Sequence, residues 1–331
     1  MTQEQRPQPA DRARQARKVL AASFIGTTFE WYDFFIYASA AALVFGPLFF
    51  PNVSDFAGQL AAFSTFAVGF VARPLGGVVI GHFGDRVGRK HMLVFCLLSM
   101  GLATVAIGLL PTYEQVGIWA PILLVLLRVM QGIGIGGEWG GAVLMAVEYA
   151  PPNRRGLYGG FVQIGTPAGL ILANLAFLSV VTLVPEEHFL TWGWRVPFIL
   201  SAVLVIVGLV IRLQLEETPV FADATASAPK KEKVPLIVVL SSHWKSVLAG
   251  GLTMSSTAMI AYILIAYILS YGVNILEVPR STMITLVLLS STVWLFTCLI
   301  FAHWSDRWGR RRVYTFGAIG GLIWAFPFFW L

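Results

Sequence analysis

Long apolar stretches, separated by short charged joints, dominate this sequence. Nine of them lie at 19–45, 57–80, 92–110, 119–147, 157–183, 196–215, 246–271, 281–302 and 313–331. About 20 mostly apolar residues in an α-helix cross the hydrocarbon core of a membrane. Only 12% of the residues are charged, whereas a soluble domain carries about 25%. The pattern predicts an all-α, polytopic membrane protein with about nine transmembrane helices.

The basic residues lie mainly on one side of the predicted helices. The N-terminal tail and every second joint together hold 19 of the 23 Lys and Arg residues, and the opposite joints hold only Arg195 and Arg280. Because cytoplasmic loops of membrane proteins are enriched in Lys and Arg, the N-terminus is predicted to be cytoplasmic. Membrane topology thus explains the net charge of +6, and we expect no nucleic-acid partner.

A polar joint rich in Lys, Ala and Pro divides the chain into six predicted helices and three. We predict a disordered cytoplasmic tail at 1–18, a six-helix bundle at 19–215, a cytoplasmic linker at 216–245 and a partial bundle of three helices at 246–331. GHFGDRVGRK (81–90) and AHWSDRWGRR (302–311) share five residues at identical spacing, each after the second helix of its half. Duplicated halves are typical of secondary transporters, which bind substrate between the halves.

Several motifs resemble those of one transporter superfamily. GHFGDRVGRKHML is similar to a loop signature of the major facilitator superfamily, and FEWYDFFIYA, ARPLGG, RVMQGIGIGGEWGGA and WGWRVPF resemble its metabolite:proton symporters, such as shikimate and other organic-acid transporters. The resemblance implies two six-helix bundles and proton-driven uptake by a monomer in the bacterial inner membrane. The second bundle is incomplete, since only 25 residues follow Asp306. We therefore expect a fragment or a truncated product.

Two acids in the first apolar stretch are the leading candidates for proton coupling. Glu30 and Asp33 are three residues apart and therefore share one face of a helix. Carboxylates inside a membrane are costly, and such residues commonly serve function. From its depth along its helix, Asp33 is predicted to pair with Arg128. Nearer the cytoplasm, Glu30, Arg73 and Glu138 are predicted to form a second layer of charges.

These charges have two possible roles. An acid can carry the proton while Arg128, assisted by Arg73, binds a substrate carboxylate through two parallel hydrogen bonds. Proton-coupled sugar transporters of the superfamily, which also pair an acid on the first helix with an arginine on the fourth, favour this role. The alternative is a permanent ion-pair network that only stabilises the bundle. The uncharged candidates for substrate binding are Gln131, Gln163, Asn174 and Tyr262.

Charges near the two repeated loops are candidates for a gate. The resemblance gives these loops the task of holding the bundles together when the transporter faces outward. The residues concerned are Asp85, Arg86, Arg89, Glu148, Asp306, Arg307 and Arg310. We expect Arg89 to pair with Glu148, and Asp306 to contact the start of the fifth helix at 154–156. The alternative is that these charges only set topology, although topology does not require an aspartate.

Other chemistry has little support in the sequence. Gly132, Gly134 and Gly137 have GxGxxG spacing, but they lie inside an apolar helix, where GxxxG steps serve helix packing; no dinucleotide cofactor is expected. We find no metal-ligand spacing and no nucleophile–base group. The sequence therefore predicts a proton-coupled symporter for a small polar metabolite, best an organic acid, with the lipid bilayer as its surroundings. A facilitator or exporter, a truncated non-transporting product, and a membrane enzyme or sensor are the alternatives.

Overall fold

The computed structural model describes residues 9–87, 89–136, 146–147, 150–213, 242–263, 267–324 and 327, with only the backbone at some of them, such as 9–19 and 81–91. Nine long helices run through these residues: α1 (Pro9–Leu43), α2 (Asp55–Val87), α3 (Arg89–Gly108), α4 (Trp119–Ile135), α5 (Arg155–Leu183), α6 (Val196–Leu213), α7 (Trp244–Tyr262), α8 (Arg280–Trp308) and α9 (Arg310–Trp324). Each corresponds to one predicted apolar stretch, but α1 begins at Pro9, so residues 9–18 of the tail predicted to be disordered are helical and extend the first apolar helix. The all-α prediction is therefore confirmed.

Short helices connect or extend the long ones. They are Phe45–Phe49, Tyr113–Val116, Glu186–Phe189 and Ile268–Asn274, together with the 3₁₀ turns Pro152–Arg154 and Gly193–Arg195. Helix α5 is interrupted at Ile164, between the helical segments Arg155–Gln163 and Gly165–Leu183. Most of the predicted linker, from 214 to 241, lies outside the described residues, as do Glu138 and Glu148.

Several helices are suited to a membrane by length and composition. Within the described residues, four are long and apolar enough to cross it: Asp55–Ile80, Arg155–Leu183, Gly193–Ile211 and Arg280–Trp308. Val94–Gly108 and Trp119–Ile135 are apolar but shorter. For the latter, the predicted stretch extends to 147, and residues 137–145 are not described.

Helix α1 lies at the centre of the first six helices. It packs mainly against α5, and also against α6 and α2, while α4 packs against α2 and α3. Small residues allow the closest of these contacts. A Cβ atom added to Gly132 would collide with the Gly69 carbonyl oxygen, and one added to Gly136 would collide with the Arg73 carbonyl oxygen. The predicted role of these glycines in helix packing is confirmed.

The WGWRVPF motif (192–198), at the start of α6, packs against the short helix Phe45–Phe49 and the end of α3. Trp194 is fully buried against the rings of Phe45, Phe49 and Phe198. Arg195 donates hydrogen bonds to the carbonyl oxygens of Gly108 (2.9 Å) and Leu110 (2.6 Å). Gly108 ends α3 and Leu110 lies two residues beyond it, so the guanidinium satisfies carbonyls at the C-terminal end of the helix and interacts favourably with the negative end of the helix dipole.

The last three helices are more open. Helix α8 packs along α5, but its buried residues are only Met283, Ile284, Val287 and Ser291. Helix α9 has no buried residue. In this structure, therefore, the second half is joined to the first mainly through the α5–α8 contact.

Candidate functional site

The two acids predicted from the first apolar stretch are both buried inside the bundle. Asp33 is 2% exposed and Glu30 is 4% exposed, in the half of α1 that α5 and α6 surround. Glu30 and Arg128 are the two charged side chains that act electrostatically on Asp33. Neither acid lies on the outer surface of the bundle, which is the arrangement expected for intramembrane carboxylates with a function.

A chain of hydrogen bonds connects Asp33 to Arg128 across three helices. The Thr104 hydroxyl on α3 donates to Asp33 Oδ2 at 3.0 Å. Gln131 Nε2 on α4 donates to Thr104 Oγ1 at 2.8 Å, and Arg128 Nη1 donates to Gln131 Oε1. The acid and the guanidinium, which the sequence predicts to be partners, are thus joined through two uncharged side chains.

Arg128 is 2% exposed and is surrounded by aromatic rings. Its guanidinium carbon lies 3.9 Å from the ring centre of Tyr37, 4.9 Å from that of Phe66 and 5.6 Å from that of Phe34. Tyr37 is itself held by a 2.6 Å hydrogen bond between its hydroxyl and Thr65 Oγ1. The negative faces of aromatic rings stabilise a cation in a site with little water.

Arg73 shares one of these rings. Its guanidinium carbon lies 4.7 Å from the ring centre of Phe70 and 5.2 Å from that of Phe34. Arg73 and Arg128, with Phe34 and Gly69, border a narrow void of about 160 Å³ that has no room for a water-sized sphere. The two guanidinium groups therefore face a common space, but helices must separate before a metabolite can enter it.

Of the other predicted substrate-binding residues, only Gln131 is seen to contact the Asp33–Arg128 unit among the described residues. Gln131 is fully buried and belongs to the hydrogen-bond chain. Asn174 is buried, and its amide donates to the Leu170 carbonyl oxygen of its own helix at 2.9 Å. Gln163 is half-buried beside the break in α5. Tyr262 ends α7, but its side chain lies outside the described residues.

Asp306 makes the predicted contact with the start of the fifth helix. Its Oδ1 accepts a 2.7 Å hydrogen bond from the Gly156 backbone N–H, and its Oδ2 accepts a 2.9 Å hydrogen bond from that of Leu157. These N–H groups lie in the first turn of α5, where amides lack helical acceptors and the helix dipole attracts a negative charge. A Cβ atom on Gly156 would lie 2.7 Å from Asp306 Oδ1, so only glycine leaves room for this contact.

The remaining predicted gate residues give less information. Arg307 and Arg310 are exposed beside Asp306. Asp85 and Arg86 fall in the last turn of α2 and Arg89 begins α3, but their side chains are outside the described residues, as is Glu148 entirely. Gating by these residues, and proton coupling by Glu138, stay predictions.

Sequence reasoning missed Thr104 and the ring of Tyr37. Thr104 lies in an apolar stretch outside the quoted motifs, and Tyr37 belongs to FEWYDFFIYA, but nothing in the sequence marks its ring as a partner of Arg128. In the described part of the chain, the buried polar atoms without a hydrogen-bond partner include Trp31 Nε1, Thr166 Oγ1 and Trp194 Nε1, the first two on the adjacent helices α1 and α5. No group of three His, Cys, Asp or Glu side chains in the described residues could hold a metal ion.

Comparison with known proteins assigns the family. Residues 23–331 match the sequence profile of the Major Facilitator Superfamily. The chain belongs to this superfamily. It has the membrane transporter fold of this superfamily, as the motifs predict.

Two curated relatives are both from Escherichia coli (strain K12). The chain is 47% identical over 299 residues to the inner membrane metabolite transport protein YhjE, with 89% of this chain and 68% of that protein aligned. It is 44% identical over 316 residues to the shikimate transporter, with 95% and 72% aligned. The chain thus spans about two thirds to three quarters of their length.

Solved structures agree with the fold. The partially occluded, inward-open xylose transporter XylE from Escherichia coli matches with a TM-score of 0.64 and 18% identity, over 89% of this chain and 74% of that one. A D-xylose–proton symporter matches with a TM-score of 0.65 and 15% identity, over 88% and 69%. At this identity the likeness concerns the fold alone.

Proposed function

We propose that this member of the superfamily is a proton-coupled symporter that carries a small organic acid into the cell across the bacterial inner membrane, with its N-terminus in the cytoplasm. The observation that carries the proposal is the buried unit on α1, α3 and α4 in which Asp33 and Arg128 are joined by hydrogen bonds. An acid and a permanent cation placed together away from lipid can exchange partners when a proton or an anion arrives.

The proton and the substrate have separate binding groups in this mechanism. Asp33 takes up the proton, with Glu30 one helical turn away as the second acid. Arg128 binds the substrate carboxylate, because its planar guanidinium forms two parallel hydrogen bonds with a carboxylate and keeps its charge. Arg73 faces the same void and adds a second positive charge. Protonation of Asp33 removes a negative charge that competes with the substrate for Arg128, and this links the two binding events.

Two cations near one void favour an anionic or zwitterionic substrate. The names of the relatives fit this chemistry: one is a shikimate transporter, and others are proline/betaine transporters. Shikimate is an anion, whereas proline and betaine are zwitterions, and all three carry a carboxylate that a guanidinium can bind. We favour organic acids because the chain is 44% identical to the shikimate transporter and 35% identical to a proline/betaine transporter.

The Asp306 contact serves as a gate in the proposed transport cycle. The carboxylate joins the end of α8 to the first turn of α5, and so joins the two halves of the chain at the end predicted to be cytoplasmic. Opening the path to the cytoplasm requires the two N–H groups to separate from the carboxylate. The contact therefore stabilises the closed arrangement at that end.

Uptake into proteoliposomes tests the proposed function. The full chain is reconstituted, a proton gradient directed inward is imposed, and labelled shikimate and a panel of other organic acids are supplied. We expect accumulation of at least one acid, and its collapse when a protonophore is added. In Asp33→Asn, accumulation is expected to disappear while exchange of labelled for unlabelled substrate continues. Accumulation by Asp33→Asn would contradict the role of Asp33, and wild-type uptake that ignores the protonophore would favour a facilitator.

A further inference from the structure

The Thr104 hydroxyl has more hydrogen-bond partners than it can satisfy at once. It lies 3.0 Å from Asp33 Oδ2 and 3.0 Å from the Met100 carbonyl oxygen of its own helix, and it accepts a 2.8 Å hydrogen bond from Gln131 Nε2. Thr104 is fully buried. Both possible acceptors compete for one hydrogen, because a hydroxyl has a single O–H donor.

The charge on Asp33 decides which acceptor receives this hydrogen. An ionised carboxylate only accepts hydrogen bonds, and a charged acceptor binds a donor more strongly than a backbone carbonyl does. The hydroxyl therefore points to Asp33 while Asp33 is ionised. A protonated Asp33 can itself donate to Thr104 Oγ1, and the Thr104 hydrogen is then free to turn to the Met100 carbonyl, an ordinary contact for threonine in a helix.

We propose that Thr104 is a positioning residue that senses the protonation state of Asp33 and conveys it to Arg128 through Gln131. When Asp33 is ionised, Thr104 Oγ1 donates to it and accepts from Gln131, whose oxygen accepts from Arg128. When Asp33 is protonated, its O–H can donate to Thr104 Oγ1, which then accepts from both Asp33 and Gln131, and this alters the chain that holds the guanidinium. The inference rests on the proposed function only in assigning the proton to Asp33.

Few other charges can interfere with this switch. Among the described residues, Glu30, Tyr32 and Arg128 interact electrostatically with Asp33, whereas Tyr37 and Arg73 lie beside the aromatic rings that surround Arg128; Glu138 on α4 is outside the described residues. The stretches 92–108 of α3, 157–183 of α5 and 196–211 of α6 contain no Asp, Glu, Lys, Arg or His. Thr104 is thus the group on α3 through which Asp33 is hydrogen-bonded.

Infrared titration of the purified full chain in detergent tests the switch without a substrate. The carboxyl band of Asp33 is identified as the one that Asp33→Asn removes, and its midpoint pH is measured in each variant. In Thr104→Val the ionised acid loses a hydrogen-bond donor, so we expect the midpoint to move to higher pH by about one unit. Thr104→Ser keeps the hydroxyl and is expected to titrate like the wild type. Thr104→Ala serves in place of valine if the valine variant does not fold.

Two further variants separate the switch from simple packing. Gln131→Leu leaves the hydroxyl and Asp33 in contact, so the midpoint is expected to move less than in Thr104→Val. Ser201→Ala removes another buried hydroxyl, one that donates to the Phe198 carbonyl oxygen of its own helix at 2.6 Å, and should leave the midpoint unchanged.

Each outcome of the titration is decisive. An unchanged midpoint in both hydroxyl-deleting variants of Thr104 would overturn the switch and leave the proposed symport intact. A shift of the same size in Thr104→Ser or Ser201→Ala would overturn it as well, because packing would then explain the change. If no titrating band disappears in Asp33→Asn, both the switch and Asp33 as proton carrier are wrong.

Discussion

The first six helices and the last three differ in how they handle polar groups and close contacts. Helices α1, α3 and α4 enclose two acids, an arginine and the uncharged side chains that connect them. Helix α9 buries no residue, and α8 meets α5 chiefly along one face and through the Asp306 carboxylate. Among the described residues, the buried charged side chains therefore lie in the first bundle, and the second half meets that bundle mainly along α5.

Glycines show the same contrast. Gly132 and Gly136 on α4 lie against the backbone of α2, where an added Cβ atom would collide. Gly317 and Gly320 on α9 have no atom within 4 Å of an added Cβ atom. The glycines of α4 thus permit the close helix contact that positions Arg128. The glycines of α9 make no such contact in this structure.

The largest expected effect is at Arg128. In Arg128→Leu the buried acid loses its cation and the substrate loses its anchor, so uptake should fall by on the order of 100-fold. Arg128→Lys should retain little of the wild-type uptake rate. An ammonium group lacks the planar pair of donors and cannot reproduce the contact of the guanidinium with the aromatic rings. Initial rates of uptake in proteoliposomes measure both. The matched control is Arg312→Leu, an exposed arginine of the second half outside the predicted gate, for which a loss of similar size would erase the contrast between the halves.

The next effect concerns helix packing. Gly132→Ala forces a methyl group against the Gly69 carbonyl oxygen and Ala72, and we expect it to lower the free energy of unfolding by about 1–3 kcal/mol. Gly317→Ala meets no atom and should leave stability within a few tenths of a kcal/mol, or raise it slightly through helix propensity. Thermal unfolding in detergent compares the two. Equal losses in both variants would mean that the packing difference does not matter for stability.

A smaller effect is expected at the contact between the halves. Asp306→Asn keeps an oxygen for one N–H of α5 but removes the charge and the second acceptor, which should weaken the contact by about 1–2 kcal/mol. Spin labels at 154 and 310 report the distance between the start of α5 and the start of α9. We expect a broader distribution with longer distances in the variant, and no change in Arg311→Gln, whose side chain is exposed and lies outside the predicted gate. A wild-type distribution in Asp306→Asn would remove this contact from the gate.

Much of the fold could be predicted from the sequence because each helix that crosses a membrane requires its own apolar stretch. The two acids and Arg128 could also be predicted as functional candidates, since a charged residue inside an apolar stretch is energetically costly. The partner of Asp306 could also be predicted, through the resemblance of the repeated loops to those of the superfamily.

Thr104 could not be predicted in the same way. In the sequence it resembles Thr182 and Thr292, whose hydroxyls donate only to carbonyls of their own helices. Its connection to Asp33 depends on the rotation of α3 about its axis, which packing against α4 and α6 determines. Arg73 shows a related limit: its contacts with the rings of Phe70 and Phe34 could not be predicted from its position in the sequence, while the layer it is predicted to share with Glu30 stays a prediction.

Proton flux during transport tests the central claim most directly. Proteoliposomes containing the full chain and a pH-sensitive dye inside are given an organic acid that the wild type accumulates, with no gradient imposed beforehand. We predict that the interior acidifies as substrate enters the wild-type vesicles, and that Asp33→Asn vesicles exchange the substrate without any change in internal pH. Acidification of equal size in Asp33→Asn would show that the proton travels elsewhere, and the buried unit of Asp33 and Arg128 would not be its carrier.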